Sequence, residues 1–389
     1  MMSVESKIHY SKPQGPPPGS TVSSPIASRL ASAQSSDTVV RRAELSTTNE
    51  DDIESKYQPL LTHSYKTINR IQSPKTFENY LRLIGKKKKS FFGGNKETKG
   101  VAKLFATKVI TCFQDGLPFY AHDEAVLNQL IESNCLPRIQ QVAQTFGVPG
   151  QEYSFYDLSQ LCLFKIFFYI DNSGSMRTGN RLQQLHDFLK LFMKINVSTQ
   201  PLRLKFMNNH QEIYQFLKYN HNVDCDCIET EQQLDLVLSN LVVGGVTPLA
   251  TNLYELILKP EIRSRKLAQP LLIVTFTDGA PNGDRYKLDK VIKMAQKELK
   301  ENNMPKRSIC YQFAQIGTDL DAGEYLDSLD NDSNIGDVID CTSPIEIEMK
   351  QIARKNKELS TEVNYVKKLL LGAIDISYDS LDEVNHRIY

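Results

Sequence analysis

The sequence predicts an α/β protein: a doubly wound, mostly parallel, six-stranded sheet with one antiparallel edge strand, preceded by a small helical region. Three observations carry this. Apolar runs of strand length recur at residues 162–170, 270–277 and 308–316, nearly unbroken, as strands covered on both faces should be. Between them, apolar residues recur at helical spacing. Two of the runs end in an aspartate, Asp171 and Asp278, each followed by turn-forming residues. The carboxyl ends of the strands are where such a sheet places its ligand site.

Composition narrows the class. A chain of 389 residues has room for one large domain and a smaller one. Lys+Arg and Asp+Glu balance at 46 each, so no global field favours nucleic acid or anionic membranes. The seven cysteines are scattered, odd in number and mostly set in apolar runs, which suits reduced thiols better than a disulfide framework. The first twenty residues lack the apolar core of a signal peptide. Elsewhere charge breaks every apolar run well short of a membrane span. The expectation is a soluble cytoplasmic protein whose sequons at Asn196 and Asn331 carry no glycan.

Residues 1–56 are rich in Ser, Pro, Gln, Thr and charge, and read as a disordered tail. Residues 57–155 read as a helical region. Apolar stripes run through Val101, Leu104, Phe105, Val109 and Phe113, through Val126, Leu127, Leu130 and Ile131, and through Ile139, Val142 and Phe146 after Pro137. Within it, residues 85–100 form a basic, Gly-rich loop. Lys86, Lys87, Lys88 and Lys89 are candidate phosphate contacts, but no nucleic-acid signature accompanies them, and solvated lysines are the plainer reading.

From residue 160 the pattern becomes strand, helix, strand. Residues 181–195 carry apolar side chains on one helical face. Residues 202–206 alternate with period two. Residues 212–217 are predicted as the antiparallel edge strand, joined by the tight loop Asn208-Asn209-His210. Helices follow at 231–241 and from Pro248 to about 264, where proline suits the first turn. Further helices are expected at 288–299, 322–329 and 345–356, with a final short strand at 338–340. Residues 358–389 read as a C-terminal helix with an acidic end containing Asp375, Asp379, Asp382 and Glu383.

Asp171, Ser173 and Ser175 offer one carboxylate and two hydroxyls, spaced two apart around a glycine. These are hard oxygen ligands of the kind Mg²⁺ or Ca²⁺ prefers. Thr247, in Gly244-Gly245-Val246-Thr247-Pro248-Leu249, and Asp278, in Thr277-Asp278-Gly279, supply two more oxygens from separate loops. The set resembles the von Willebrand factor type A domain and its metal-ion-dependent adhesion site, over residues 160–357. Residues 309–316, 322–327 and 336–340 are similar to intracellular eukaryotic versions common in fungi. The resemblance implies that Ser173 and Ser175 ligate the metal directly, Thr247 directly or through water, and Asp171 and Asp278 mainly through waters. It implies Mg²⁺ as cofactor, with Mn²⁺ or Ca²⁺ as substitutes. It also implies a protein partner whose carboxylate completes the octahedron. Val246 stands where many relatives have a glycine directly before the threonine.

Other readings are weaker. Cys225 and Cys227, near His210 and His221, invite zinc but lack a second ligand pair at matching spacing. The acidic stretch holding Asp319, Asp321, Asp327, Asp330 and Asp332 lacks the Gly and closing Glu of a calcium loop. There is no phosphate-binding Gly-x4-Gly-Lys motif. A phosphoester hydrolase using Asp171 as nucleophile would need an acid two residues on, and that position is Ser173. The resemblance therefore implies a non-enzymatic, Mg²⁺-dependent protein-interaction module. The alternative is a metal-indifferent scaffold subunit of a larger assembly.

Overall fold

The computed structural model describes residues 135–147, 152–198, 200–263, 267, 269–355, 360–375 and 378. The tail at 1–56, the lysines Lys86 to Lys89, the helical region before residue 135 and the end beyond 378 lie outside these residues.

Helix α1 (Leu136–Phe146) carries Pro137 in its first turn, where a missing N–H is harmless, and buries Ile139, Val142 and Ala143. A run of 3-10 turns follows (Glu152–Leu163), then β1 (Lys165–Ile170), a 3-10 turn (Gly174–Arg177) and α2 (Arg181–Ile195). The strand is shorter than the apolar run at 162–170 suggests, because Cys162 and Leu163 belong to the preceding helical turns. Leu158, Leu161, Cys162 and Leu163 are all buried, so hydrophobicity gives no sign of where helix stops and strand begins.

Next come β2 (Leu204–Phe206), α3 (His210–His221) and α4 (Glu231–Ser239), the last opened by a reciprocal Thr230–Gln233 cap. The segment predicted as an edge strand at 212–217 is instead the middle of α3. His210, Ile213 and Leu217 are its buried residues, at helical spacing. The short apolar sequence fits period two and period 3.6 alike, and the stripe that is buried is the helical one, His210, Ile213 and Leu217. A trace of antiparallel pairing remains at the β2 edge, contributed by residues 225–228. Leu202 and Ile228 form a bridge through bonds of 2.9 and 3.0 Å, and the Leu204 amide reaches the Cys225 carbonyl.

A long helix then passes through α5 (Leu249–Leu253), one π-helical turn (Tyr254–Leu258) and α6 (Lys259–Arg263). After it come β3 (Leu271–Thr277), α7 (Leu288–Glu301), β4 (Ile309–Gln315), α8 (Leu320–Asp330), β5 (Ile339–Thr342), α9 (Ile345–Lys355) and α10 (Thr361–Leu371).

The described strands form one parallel sheet of five, in the order β2-β1-β3-β4-β5. Every residue of β3 and β4 is buried, as their largely apolar sequences favour, Thr275, Thr277, Gln312 and Gln315 included. Alternate residues serve opposite faces. Phe167, Tyr169, Leu271, Ile273, Tyr311 and Phe313 join the core formed with α5, α6 and α7. On the other face Phe168 meets Phe192 of α2 edge-on at 4.6 Å, and Phe188 lies 4.9 Å from Phe276. Helix α10 closes that face: Tyr365 meets Phe188, and Val363, Val366, Leu369 and Leu370 are fully buried. Its Lys367 pairs with Asp157 at 3.0 Å, tying it to the 3-10 run before β1. The result is an open, doubly wound, Rossmann-like sheet.

Strand order reverses at β1. The chain adds β2 on one side of it and β3 on the other, which makes the β1–β3 crevice the switch point where such sheets bind ligands. Register completes the placement: Ile170 pairs with both Phe206 and Phe276, so the loops after β1, β2 and β3 leave the sheet at one level.

Candidate functional site

Asp171 and Asp278 follow directly from that register. With Ile170 opposite Phe276, Asp171 lies beside Thr277 and Asp278 stands one residue further out. Asp171, Ser173, Thr247 and Asp278 are each at most 2% exposed, while Ser175 is open to solvent. For carboxylates this burial is tolerable only with hydrogen bonds to replace lost water.

Asp171 has them. Its Oδ1 accepts the Ser173 amide at 2.8 Å, and its Oδ2 accepts the Thr277 hydroxyl at 2.8 Å. Neither donor is charged. Burial therefore dominates and raises the Asp171 carboxyl above its ordinary value, against the pull of Ser173 and Thr277, with Asp278 adding like-charge repulsion. Asp278 is held differently: its Oδ1 accepts the Ser175 hydroxyl at 2.9 Å, and its Oδ2 is paired with the Arg181 guanidinium. The Ser173 and Ser175 hydroxyls are 3.0 Å apart.

Ser173 Oγ, Ser175 Oγ and Asp278 Oδ1 thus form a row of oxygens with steps of 3.0 and 2.9 Å. Mg²⁺ binds six oxygens at about 2.0–2.1 Å, which sets neighbouring ligand oxygens about 2.9 Å apart. Hydroxyl hydrogen bonds have this spacing too; it is compatible with adjacent ligands of an octahedral ion, so the residues present can accommodate a small hard cation. Among the described residues, no group of three or more His, Cys, Asp or Glu side chains is placed to hold a metal ion. A cation at this edge would depend on hydroxyls, as Ser and Thr in these positions imply.

Thr247 is brought to the same edge by backbone. The Gly174 amide donates to the Gly245 carbonyl at 3.2 Å, and the Gly244 amide to the Asn172 carbonyl at 2.8 Å. Gly245 has φ +88, and a Cβ there would sit 3.0 Å from Asn208 Oδ1, so the close approach needs glycine. Val246, between Gly245 and Thr247, is 49% exposed.

Several residues that build this edge are not evident from motif spacing. Asn172, fully buried, donates to the carbonyls of Asn208 and Val242 and accepts the Asn208 amide at 2.7 Å. It stitches three loops together, yet in the sequence it is only the spacer between Asp171 and Ser173. Asn282 accepts the Thr247 amide at 3.0 Å. Asp284 accepts the amides of Ala250 and Thr251, both at 2.9 Å, capping α5 from a distant loop. The Tyr169 hydroxyl donates to the Leu249 carbonyl at 3.0 Å from inside the core. In sequence, Asn282-Gly283-Asp284 signals only a turn. Arg181, at the first position of α2, is a helix-start residue with nothing to mark its bond across 97 residues to Asp278.

The candidate zinc residues do not act as a unit. His210 Nδ1 accepts the Phe206 amide at 3.4 Å, and burial with the nearby Lys205 charge lowers its pKa to about 4. Cys225 is buried and its thiol is pushed up to about 12, mainly by desolvation, while Cys227 is exposed. The acidic stretch resolves into a helix cap, a turn and surface ion pairs. Asp319 caps α8 through the Ala322 amide, Asp332 accepts the Asn334 amide, and Lys306 pairs with Asp337. No helix of the described residues is long and apolar enough to cross a membrane. The sequence matches no protein-family model and no curated protein.

Proposed function

We propose that the chain is a Mg²⁺-dependent protein-interaction module of the von Willebrand factor type A kind, binding an acidic group of a partner through a metal-ion-dependent adhesion site. The observation that carries the reading is the row Ser173 Oγ, Ser175 Oγ and Asp278 Oδ1, spaced 3.0 and 2.9 Å at the switch point of the sheet. Ser173, Ser175, Thr247, Asp171 and Asp278 would hold the ion, with Mn²⁺ or Ca²⁺ as substitutes. Bound there, it would supply an electrophilic centre with a position that a partner's carboxylate can take. The chain's own part is to present the hydroxyls and fix the two aspartates. Asn172, Asn208 and Asn282 keep the loops in place.

A non-enzymatic role suits the groups around Asp171. Both its oxygens are engaged by Ser173 and Thr277, and no acid stands two residues on to protonate a leaving group, so a phosphoester hydrolase is the weaker reading. The described cysteines are free thiols, which supports a reducing, cytoplasmic setting. The metal-indifferent scaffold reading has one observation in its favour: Arg181 already gives Asp278 a cationic partner. Chelation separates the two. With the full chain immobilised, a partner retained in Mg²⁺ should be released by EDTA and not captured by Ser173→Ala. Retention unchanged by both treatments would favour the scaffold.

A further inference from the structure

We infer that Arg181 is the built-in counter-cation of this site: it occupies Asp278 when no divalent ion is bound and holds the site's metal affinity down. The inference rests on the metal-binding reading above. Three observations support it. The Arg181 guanidinium pairs with Asp278 Oδ2, on a carboxylate whose side chain is fully buried, while Arg181 itself is 18% exposed. The same Nη1 donates to the Ser175 carbonyl at 3.1 Å, so the guanidinium spans the β1 and β3 loops that a metal would also join. Its seat is completed by a third loop, after β4. Gly317 there has φ +77, and a Cβ at that position would lie 2.6 Å from Arg181 Nε and 3.1 Å from Cζ. Only glycine both adopts that backbone and leaves room for the guanidinium.

The electrostatics give the direction. Asp171 and Asp278 are the carboxylates of the site, and Arg181 neutralises one of them before any ion arrives. A divalent cation on the Ser173–Ser175–Asp278 row meets a positive charge already bonded to the same carboxylate. Like charges that close in a poorly solvated cleft repel strongly. The ion must share Asp278 or displace the arginine, which forfeits a charge-assisted hydrogen bond. Arg181 thus keeps the loops assembled and Asp278 compensated without metal, and restricts loading to high ion concentration or to a partner that brings its own carboxylate.

The test is calorimetric titration of the full chain with Mn²⁺, using wild type, Arg181→Gln and Gly317→Ala, with folding checked by circular dichroism. Arg181→Gln should bind Mn²⁺ roughly tenfold more tightly than wild type, the scale of one charge-assisted hydrogen bond removed from the competing state. Gly317→Ala, which retains the arginine but crowds it off its seat, should shift affinity the same way by less. Binding by Arg181→Gln where wild type shows none would also support the inference. Equal or weaker binding by a folded Arg181→Gln would overturn it while leaving the metal site standing. If that variant does not fold, Gly317→Ala decides by the same criterion. Absence of Mn²⁺ binding in wild type and both variants would overturn the metal reading itself, and this inference with it.

Discussion

The loops after β1 and β3 and the surface stretch from Asp319 to Asp337 both carry carboxylates, and they differ in how those carboxylates are buried and paired. In the surface stretch the near partners shape the backbone: Asp319 bonds an amide three residues on and Asp332 one two residues on, while Lys293 and Lys306 add ion pairs to Asp332 and Asp337 from further along the chain. At the β1–β3 edge Asp171 also has a near partner, the Ser173 amide, but each carboxylate is engaged by a distant hydroxyl as well. Thr277 reaches Asp171 across 106 residues, and Ser175 reaches Asp278 across 103. Local pairing consumes a carboxylate in shaping its own backbone. Long-range pairing in a buried crevice fixes several loops against one another and lines up oxygens from different parts of the chain. A ligand site needs the second arrangement.

The sharpest way to break the comparison is to remove one carboxylate from each region. Asp278→Ala leaves the Arg181 guanidinium in its cleft without a counter-charge and Ser175 without its acceptor. It should destabilise the fold by about 3 kcal/mol, measured by chemical denaturation. Asp319→Ala removes one helix cap and should cost about 1 kcal/mol. A loss at Asp319 equal to that at Asp278 would mean that the two regions are held alike.

Titration separates them by sign. Burial raises the Asp171 carboxyl, so its ionisation opposes folding: its contribution is present at low pH and lost as pH rises through the folded value. Asp332 runs the other way. Hydrogen bonds from Asn334 lower its carboxyl, so its contribution holds at neutral pH and disappears as pH falls through the folded value. Denaturant midpoints measured between neutral pH and about 4 should show the Asp171 trend, and Asp171→Asn should abolish it. At neutral pH, Asp171→Asn should change stability by less than about 1 kcal/mol. The Thr277 hydroxyl has the Gly279 carbonyl at 3.1 Å as another acceptor, and the asparagine oxygen can still accept the Ser173 amide. Metal binding should nevertheless fall with it. Loss of binding without loss of stability would mark Asp171 as kept for function.

Much of this is legible from sequence where one property settles the matter. β1, β3 and β4 are largely apolar on both faces, and their ends place Asp171 and Asp278 at the edge of the sheet. The misreadings arise where two explanations fit the same residues. Ile213 and Leu217 suit a strand or a helix, and in the fold they are the buried side of α3. Cys162 and Leu163 are as apolar as β1 and belong to the helical turns before it. Asn172, Arg181, Asn282 and Asp284 are ordinary turn or helix-start residues until the fold places them against partners far along the chain. Spacing rules find oxygen-bearing side chains that come two residues apart, but not an arginine bonded to Asp278 from 97 residues away.

The central claim is that the Ser173–Ser175–Asp278 row binds a divalent cation. Its most direct test is a Mn²⁺ titration of the full chain followed by electron paramagnetic resonance, beside the Ser173→Ala/Ser175→Ala double variant. The account predicts one bound ion per chain, in wild type or with Arg181→Gln, and at least about tenfold weaker binding once both hydroxyls are gone. Binding left unchanged by their removal, or absent from wild type and Arg181→Gln alike, would contradict it.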